Sequence, residues 1–113
     1  MDTDLYQRII GGFQEDLEGD DLEVKKVIGN EQVEAWSVGR KGSQNYCSVV
    51  FEKGEKGLFI TADQYAPRSP SCHRDDIEEA QRLFSAIDSW IFTHSENDPR
   101  RGKRTIDTTL FKK

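Results

Sequence analysis

The 113-residue sequence has only two cysteines, Cys47 and Cys72, and no apolar run near the roughly 18 residues that a membrane span needs. Two cysteines are too few for a disulfide-stapled scaffold, and a chain of this length can bury enough apolar surface to fold without crosslinks. Met1 is followed directly by acidic residues, which is not the pattern of a secretory signal peptide. These absences favour one small cytoplasmic domain with no membrane segment.

Motifs that carry catalysis or cofactor binding are also missing. The glycine-containing segments 39–43 and 54–57 lack the Walker spacing, and both lie between predicted strands instead of leading into a helix. The sequence contains no Gly-x-Ser-x-Gly elbow and no calcium-loop spacing of oxygen ligands around a fixed glycine. We therefore predict a protein that is not an enzyme and that has no cofactor.

Four residues have side chains that ligate zinc or act as nucleophiles: Cys47, Cys72, His73 and His94. Structural zinc sites usually contain ligand pairs about two to four residues apart, whereas here only Cys72 and His73 are close, as immediate neighbours. Cys47 lies in an apolar segment and is typical of a small core residue. Cys72 precedes a predicted helix whose dipole favours a thiolate, but the sequence identifies no base beside it. We predict no metal site, and an enzyme using Cys72 and His73 ranks third among the functional hypotheses.

The net charge of −5 is unevenly distributed along the chain. Residues 1–23 hold eight acids and one base, whereas residues 98–113 hold two acids and six bases. Residues 1–97 together carry −9, and the C-terminal tail carries +4. Such asymmetry bears on partners and association, not on fold.

The first predicted helix runs from Asp2 to Leu17. Its apolar residues recur at helical spacing and form one stripe: Leu5, Tyr6, Ile9, Ile10, Phe13 and Leu17. Gly19 lies where a left-handed helix stop is expected. Gly11 and Gly12 lie inside the helix, where each glycine costs about 1 kcal/mol relative to alanine, so we expect the helix to depend on tertiary packing or to bend there.

From Leu22 to Ala62 the apolar period shortens to two, and glycine-containing turns separate segments rich in branched and aromatic residues. This pattern predicts four antiparallel strands in a meander, over residues 22–28, 32–38, 45–52 and 58–62.

A second helix is predicted after a proline-containing crossover. Its apolar stripe comprises Ile77, Ala80, Phe84, Ile87 and Ile91, widened by Leu83 and Trp90. His94 lies at its end, where an imidazole suits exposed helix carbonyls. We predict an α+β fold with a four-stranded antiparallel sheet and both helices on one face. Residues 1–97 form this domain, and residues 98–113 form a basic tail that docks on it, adds an edge strand or stays mobile.

Six carboxylates crowd the end of the first helix and the loop after it: Glu15, Asp16, Glu18, Asp20, Asp21 and Glu23. Carboxylates are unfavourable at a helix C-terminus, and these six also repel one another. A basic surface on a partner would relieve that repulsion and speed association. The alternative interpretation is a solvated, solubilising loop.

Other candidate contact residues are the Arg40 and Lys41 turn and the aromatic residues Trp36 and Tyr65, unless Trp36 faces the sheet interior. We predict a small acidic protein-binding module of the kind that serves as an inhibitor, immunity factor or accessory regulator and blocks a basic site on a larger protein. A homodimer is compatible with the sequence.

The alternative is a regulator that associates with nucleic acid or nucleotides. Arg100, Arg101, Lys103 and Arg104 of the tail would bind phosphates together with the Arg40 and Lys41 turn. The charge of −9 on residues 1–97 opposes this hypothesis, because nucleic-acid-binding domains usually concentrate positive charge on the body. The tail could equally contact the acidic first helix of the same or a neighbouring chain.

Overall fold

A computed structural model describes residues 3–41, 46–55, 57–65, 74–95 and 104–111, with the backbone alone for residues 3, 64, 65 and 74–76. The elements in chain order are α1 (Thr3–Glu18), β1 (Leu22–Gly29), β2 (Val33–Arg40), β3 (Tyr46–Lys53), β4 (Leu58–Tyr65), α2 (Arg74–His94), β5 (Arg104–Thr105) and a 3-10 helix (Thr108–Phe111). The predicted α+β class is confirmed.

The five strands form one antiparallel sheet in the order β1-β2-β3-β4-β5. Strands β1 to β4 are the predicted meander, and the short β5 extends it at the β4 edge. The first turn of the meander is held by Asn30, whose Oδ1 accepts the N–H groups of Gln32 and Val33 at 2.8 Å each. A β-bulge between Lys26 and Ile28 interrupts the free edge strand β1, which is a common way to discourage edge-to-edge aggregation.

Helix α1 buries every residue of its predicted apolar stripe. Ile9 and Phe13 are fully buried, and Phe13 packs edge to face against Phe51 of β3, with ring centroids 5.2 Å apart. At Gly12 a Cβ would lie 3.9 Å from the ring of Phe111, so this glycine lies against the 3-10 helix. The helix is continuous from Thr3 to Glu18 through both glycines, and its dependence on tertiary packing stays a prediction.

Helix α2 buries most of its predicted apolar stripe. Ala80, Ile87 and Ile91 are buried together with Leu83 and Trp90, the two residues predicted to widen the stripe. Trp90 packs edge to face against Phe13 of α1, with ring centroids 5.0 Å apart. Phe84 is only partly buried, and Ile77, in the first turn of the helix, is 46% exposed, so the prediction that Ile77 lies on the core face was wrong.

The C-terminal segment 104–111 packs against the domain. Arg104 and Thr105 pair with Ile60 and Phe59 of β4, and the Ile106 side chain is 2% exposed. The Asp107 N–H also donates to the carbonyl of His94 at the end of α2, over 2.9 Å. Alternating apolar residues along the sheet face one core with both helices, and residues 104–111 close one end of that core.

Candidate partner-binding surface

The six predicted carboxylates lie on the last turn of α1, the link to β1 and the second residue of β1, and we call Glu15, Asp16, Glu18, Asp20, Asp21 and Glu23 the acidic surface. The Gly19 N–H bonds to the Glu15 carbonyl at 3.0 Å and closes the helix. Asp21, and not the predicted Gly19, is the left-handed residue, with φ of 64°. All of these carboxylates are exposed except Glu23, which is half-buried. The acidic surface therefore lies at the end of the sheet where β1 begins, with Glu23 on the side of β1 away from the helices.

Asp16 is the member of the acidic surface that contacts the second helix. Its Oδ2 accepts the indole N–H of Trp90 on α2 at 2.8 Å. A buried indole needs a hydrogen-bond partner, and a carboxylate is a strong acceptor for it. Asp16 therefore joins the two helices.

Glu23 lies on the side of β1 that faces away from the helices and pairs with Lys25, at 2.8 Å between Lys25 Nζ and Glu23 Oε1. The hydrogen bond and charge of Lys25 lower the pKa of Glu23, and the charge of Lys41 lowers it further. The same pair raises the pKa of Lys25. Glu23 is thus an ionised carboxylate that two lysines face at neutral pH.

The sheet register brings the Arg40 and Lys41 turn to the acidic surface. Arg40 at the end of β2 pairs with Leu22, the residue between Asp21 and Glu23. Arg40 and Lys41 are both exposed, so this end of the molecule presents two cations beside the carboxylates. Two candidate regions that are separate in sequence therefore form one surface of mixed charge.

Tyr65 belongs to the same end of the sheet by its backbone position. It is the last residue of β4 and pairs with Tyr46 at the start of β3, which in turn pairs with Gly39 next to Arg40. The Tyr46 side chain is 40% exposed. Tyr46 is an exposed aromatic residue at this end of the sheet that the sequence patterns did not single out, although an aromatic residue at the start of a predicted strand was visible in the sequence.

Trp36, the other predicted contact aromatic, lies on the sheet face that packs against the helices. Its side chain is 7% exposed and belongs to the hydrophobic core. It has the same strand phase as Val38, which is fully buried. Trp36 therefore contributes packing and not surface, and we do not assign it to the acidic surface.

Of the tail cations, Arg104 lies in β5, and Arg100, Arg101 and Lys103 lie outside the described residues. The Arg104 guanidinium lies over the Phe92 ring, 5.5 Å from its centroid. Arg104 pairs with Ile60, on a row near the opposite end of the sheet from Arg40. The described structure thus does not bring Arg104 and the Arg40 and Lys41 turn together.

The candidate catalytic residues are only partly described. Cys47 is 1% exposed in the core, as its apolar segment predicts, and Cys72 and His73 lie outside the described residues. His94 Nδ1 donates to the Trp90 carbonyl at 2.8 Å, and its ring stacks on the Trp90 indole at 4.2 Å between centroids. Within the described ranges, no group of three or more histidine, cysteine or acidic side chains is arranged to hold a metal ion.

Sequence reasoning missed a buried ion pair at the other end of the sheet. Glu34 Oε2 lies 2.7 Å from Lys53 Nζ, and the two side chains are only 3% and 5% exposed. Gln7 of α1 donates to the same Glu34 oxygen at 2.9 Å, and Lys53 donates to the Asn30 carbonyl at 3.0 Å. The signal was present, because Glu34 shares the inward strand phase of Trp36.

Two further observations concern the helices. A shallow depression of about 410 Å³ lies on α2, lined by Glu78, Gln81, Arg82 and Ser85 at helical spacing. Neither described helix has a stretch long and apolar enough to cross a bilayer.

Comparisons with protein-family models, with curated proteins and with solved structures returned no match. The fold and the surface define a small α+β domain with one strongly charged end, and function has to be inferred from these residues.

Proposed function

We propose that this protein is a non-enzymatic protein-binding module whose acidic surface engages a basic surface on a larger protein. In this role it acts as an inhibitor, immunity factor or accessory regulator by covering the partner's basic site. The observation that supports the proposal is the convergence of exposed carboxylates, the Arg40 and Lys41 turn and exposed Tyr46 at one end of the sheet.

The composition of this end suits a protein partner better than a polyanion. Five carboxylates besides Asp16 give a negative potential that attracts a basic surface and raises the rate of association. Arg40 and Lys41 at the margin favour a partner that has an acidic group next to its basic patch, which fixes the orientation of the complex. Tyr46 adds an aromatic contact of the type enriched at protein interfaces.

The turn that carries the carboxylates is also constrained. The hydrogen bond from Gly19 to Glu15 and the contact between Asp16 and Trp90 fix the backbone of the acidic surface on the rest of the domain. A surface that is ordered before binding loses less conformational entropy on association than a disordered acidic loop.

The test is charge reversal of three exposed carboxylates, Glu15, Glu18 and Asp20, each to lysine; of these, Glu18 accepts an exposed hydrogen bond from Gln14. The matched control reverses Glu31, Glu55 and Asp88, which are exposed at the far end of the sheet and on α2. Tagged wild-type, test and control chains capture partners from an extract of the source cells. Association and dissociation rates are then measured on the recovered partner over a range of salt concentrations.

We expect the control to behave as the wild type, and the test variant to associate at least about tenfold more slowly at low salt with a weaker salt dependence. Equal rates for all three chains would refute the acidic surface as the binding site. Steeply salt-dependent capture of nucleic acid that is lost on truncation at Asn97 would favour the alternative regulator.

A further inference from the structure

The sheet face turned away from the helices is uncovered by any element that the structure describes. We call it the outer face. Its central positions are small or apolar, and the strand register places them in adjoining cross-strand rows: Ala35, Ser37, Ser48, Val50 and Thr61. All five are half-buried, although the helices pack on the opposite side. A solvated sheet face usually has polar residues at its outward positions, and here the charged ones, Glu23, Lys25, Glu52 and Asp63, lie in the end rows or on the outer strands.

The β1 margin of the outer face exposes large apolar side chains. Val27, the extra residue of the bulge, is 65% exposed, and Ile28, which pairs with Ala35, is 55% exposed. Ile28 therefore extends the row that contains Ala35 and Val50 toward the free edge of the sheet. An apolar row of this kind, with a neutral centre, is typical of the middle of an interface.

One row of the outer face has opposite charges at its two ends, whereas Glu23 and Glu52 lie in the first and last rows of the same face. The row with opposite charges crosses the sheet as Lys25, Ser37, Ser48 and Asp63, with the cation on β1 and the anion on β4. A two-fold axis parallel to the strands, between β2 and β3, would place β1 of one chain over β4 of the other. Lys25, which is paired with Glu23 of its own chain, would then also face Asp63 of the second chain, and Asp63 would face its Lys25.

The same axis pairs small residues with larger ones. It places Ala35 over Val50 of the second chain and Gly39 over Tyr46 of the second chain, because each of these pairs shares a cross-strand row. Ser37 would face Ser48. Two such faces can therefore approach to the distance of packed sheets, about 10 Å, without large side chains opposing each other at the centre.

The outer face is also large enough for a specific interface. Four strands of eight residues, at about 4.8 Å between strands and about 3.3 Å per residue, give a face of roughly 500 Å². Two such faces reach the roughly 1,000 Å² of buried surface that a specific interface needs. A helix or loop of a different protein would cover only part of the outer face. A second copy has a face of the same dimensions, with the complementary order of charges along the row of Lys25 and Asp63.

We propose that the outer face is the interface of a homodimer, in which two copies stack their sheets about a two-fold axis parallel to the strands, with reciprocal Lys25 and Asp63 ion pairs. The axis keeps the strand direction, so both acidic surfaces lie at the same end of the dimer. Glu23 and Tyr46 lie in the end row of the outer face, so the dimer covers them. The partner contacts that each chain keeps in the dimer are Glu15, Glu18, Asp20, Asp21 and the Arg40 and Lys41 turn, and the dimer does not depend on the function proposed for them.

The test is sedimentation velocity of the full chain over about 1 to 200 μM, with two single variants, Lys25→Asp and Asp63→Lys. Each variant places like charges opposite each other at both symmetric positions, so each should raise the dimer Kd at least about tenfold. An equimolar mixture of the two should form a heterodimer with the wild-type Kd, because every facing pair across the axis then joins one acid and one base. The double variant should recover the wild-type Kd by the same reasoning.

Two further variants separate this interface from a general charge effect. Ser48→Arg places an arginine of each chain beside the axis and should raise the dimer Kd by about a hundredfold or more. Asp88→Lys makes the same charge change as Asp63→Lys on the exposed side of α2 and should leave the Kd unchanged. Circular dichroism melts establish that each variant is folded. A wild-type chain that stays monomeric at 200 μM, or a dimer that tolerates Ser48→Arg and is not rescued by mixing, would overturn the proposal.

Discussion

The two ends of the sheet use the same residue types in opposite ways. At the end where β1 starts, Glu23 and Lys25 form an ion pair whose side chains are 42% and 71% exposed. At the other end, Glu34 and Lys53 form an ion pair whose side chains are 3% and 5% exposed. Exposed pairs contribute little to stability because water and salt screen them, whereas one partner of a buried pair cannot be removed without leaving a charge in the protein interior. The charges at the first end are therefore available for binding, and the buried pair at the second end is part of the folded core.

The largest effect is expected from breaking the buried pair. Lys53→Met leaves the Glu34 carboxylate buried, with Lys26 at 3.9 Å and the Gln7 amide as its remaining described partners. We expect a loss of about 3 kcal/mol in the free energy of unfolding, measured by urea denaturation.

The double variant Glu34→Leu with Lys53→Met should recover most of that loss, since neither charge is then buried alone. Lys26→Met is the control and should change stability by less than about 1 kcal/mol, because Lys26 is 54% exposed. A single Lys53→Met substitution as mild as this control would show that the pair is not buried in solution.

The second largest effect on folding stability should distinguish Asp16 from its neighbours on the acidic surface. Asp16→Ala removes the acceptor of the Trp90 indole and should cost about 1.5 to 3 kcal/mol of folding stability, the range for hydrogen bonds to charged groups. Glu15→Ala, at an exposed neighbour on the same helix, should change stability by less than about 0.5 kcal/mol. Thermal and urea denaturation of the two variants measure the difference, and equal stabilities would contradict the structural role of Asp16.

A smaller effect, an increase in folding stability, is expected from substitution of Asp21 by glycine. Its φ of 64° is strained for a residue with a Cβ, and Asp21→Gly removes the strain together with one repelling charge. The greater freedom of glycine in the unfolded chain offsets part of the gain, so we expect an increase of about 0.5 kcal/mol in stability. Asp20→Gly is the comparison, and it should be neutral or destabilising by a similar amount. A destabilised Asp21→Gly variant would show that this residue does not adopt a left-handed conformation.

The smallest effect is the titration of Glu23. Its pKa is below the usual 4.5 because Lys25 favours the carboxylate, so the stability that the pair adds is present above the unfolded-chain pKa and is lost as the pH falls through the lowered value. For Lys25, whose pKa is raised, the contribution is present below its unfolded-chain pKa and is lost as the pH rises through the raised value. Carbon-detected NMR titration of Glu23 should show its pKa returning toward 4.5 in Lys25→Met, with a smaller change in Lys41→Ala. An unchanged pKa in Lys25→Met would mean that the pair does not form in solution.

Much of the fold could be predicted because periodicity is local. The apolar stripe of α1 and the alternation of β1 to β4 each depend on residues a few positions apart, and burial follows from which face is apolar. The stripe of α2 was predicted except at its start, where Ile77 continues the apolar spacing but is 46% exposed, because the sequence does not show how far the core extends along the helix. The two-residue strand β5 has too few residues to show an alternation.

The candidate surface, too, was predictable from the sequence only in part. A sequence shows directly which residues are charged, and this identified the carboxylates, Arg40 and Lys41. Their proximity depends on the pairing of Leu22 with Arg40 between two strands. Trp36 was selected as a contact aromatic although its strand phase places it inside the sheet.

By itself, the sequence determined the order of helices and strands, the class of the fold and the presence of opposite charges in different segments, because propensity, periodicity and charge are properties of neighbouring residues. Only the tertiary structure decided that Asp16 serves the core, that Glu34 and Lys53 meet inside the protein, and that Lys25 and Asp63 occupy opposite margins of one open face. These outcomes depend on register and on helix rotation. Both are set by the packing of residues distant in sequence, so no local pattern specifies them.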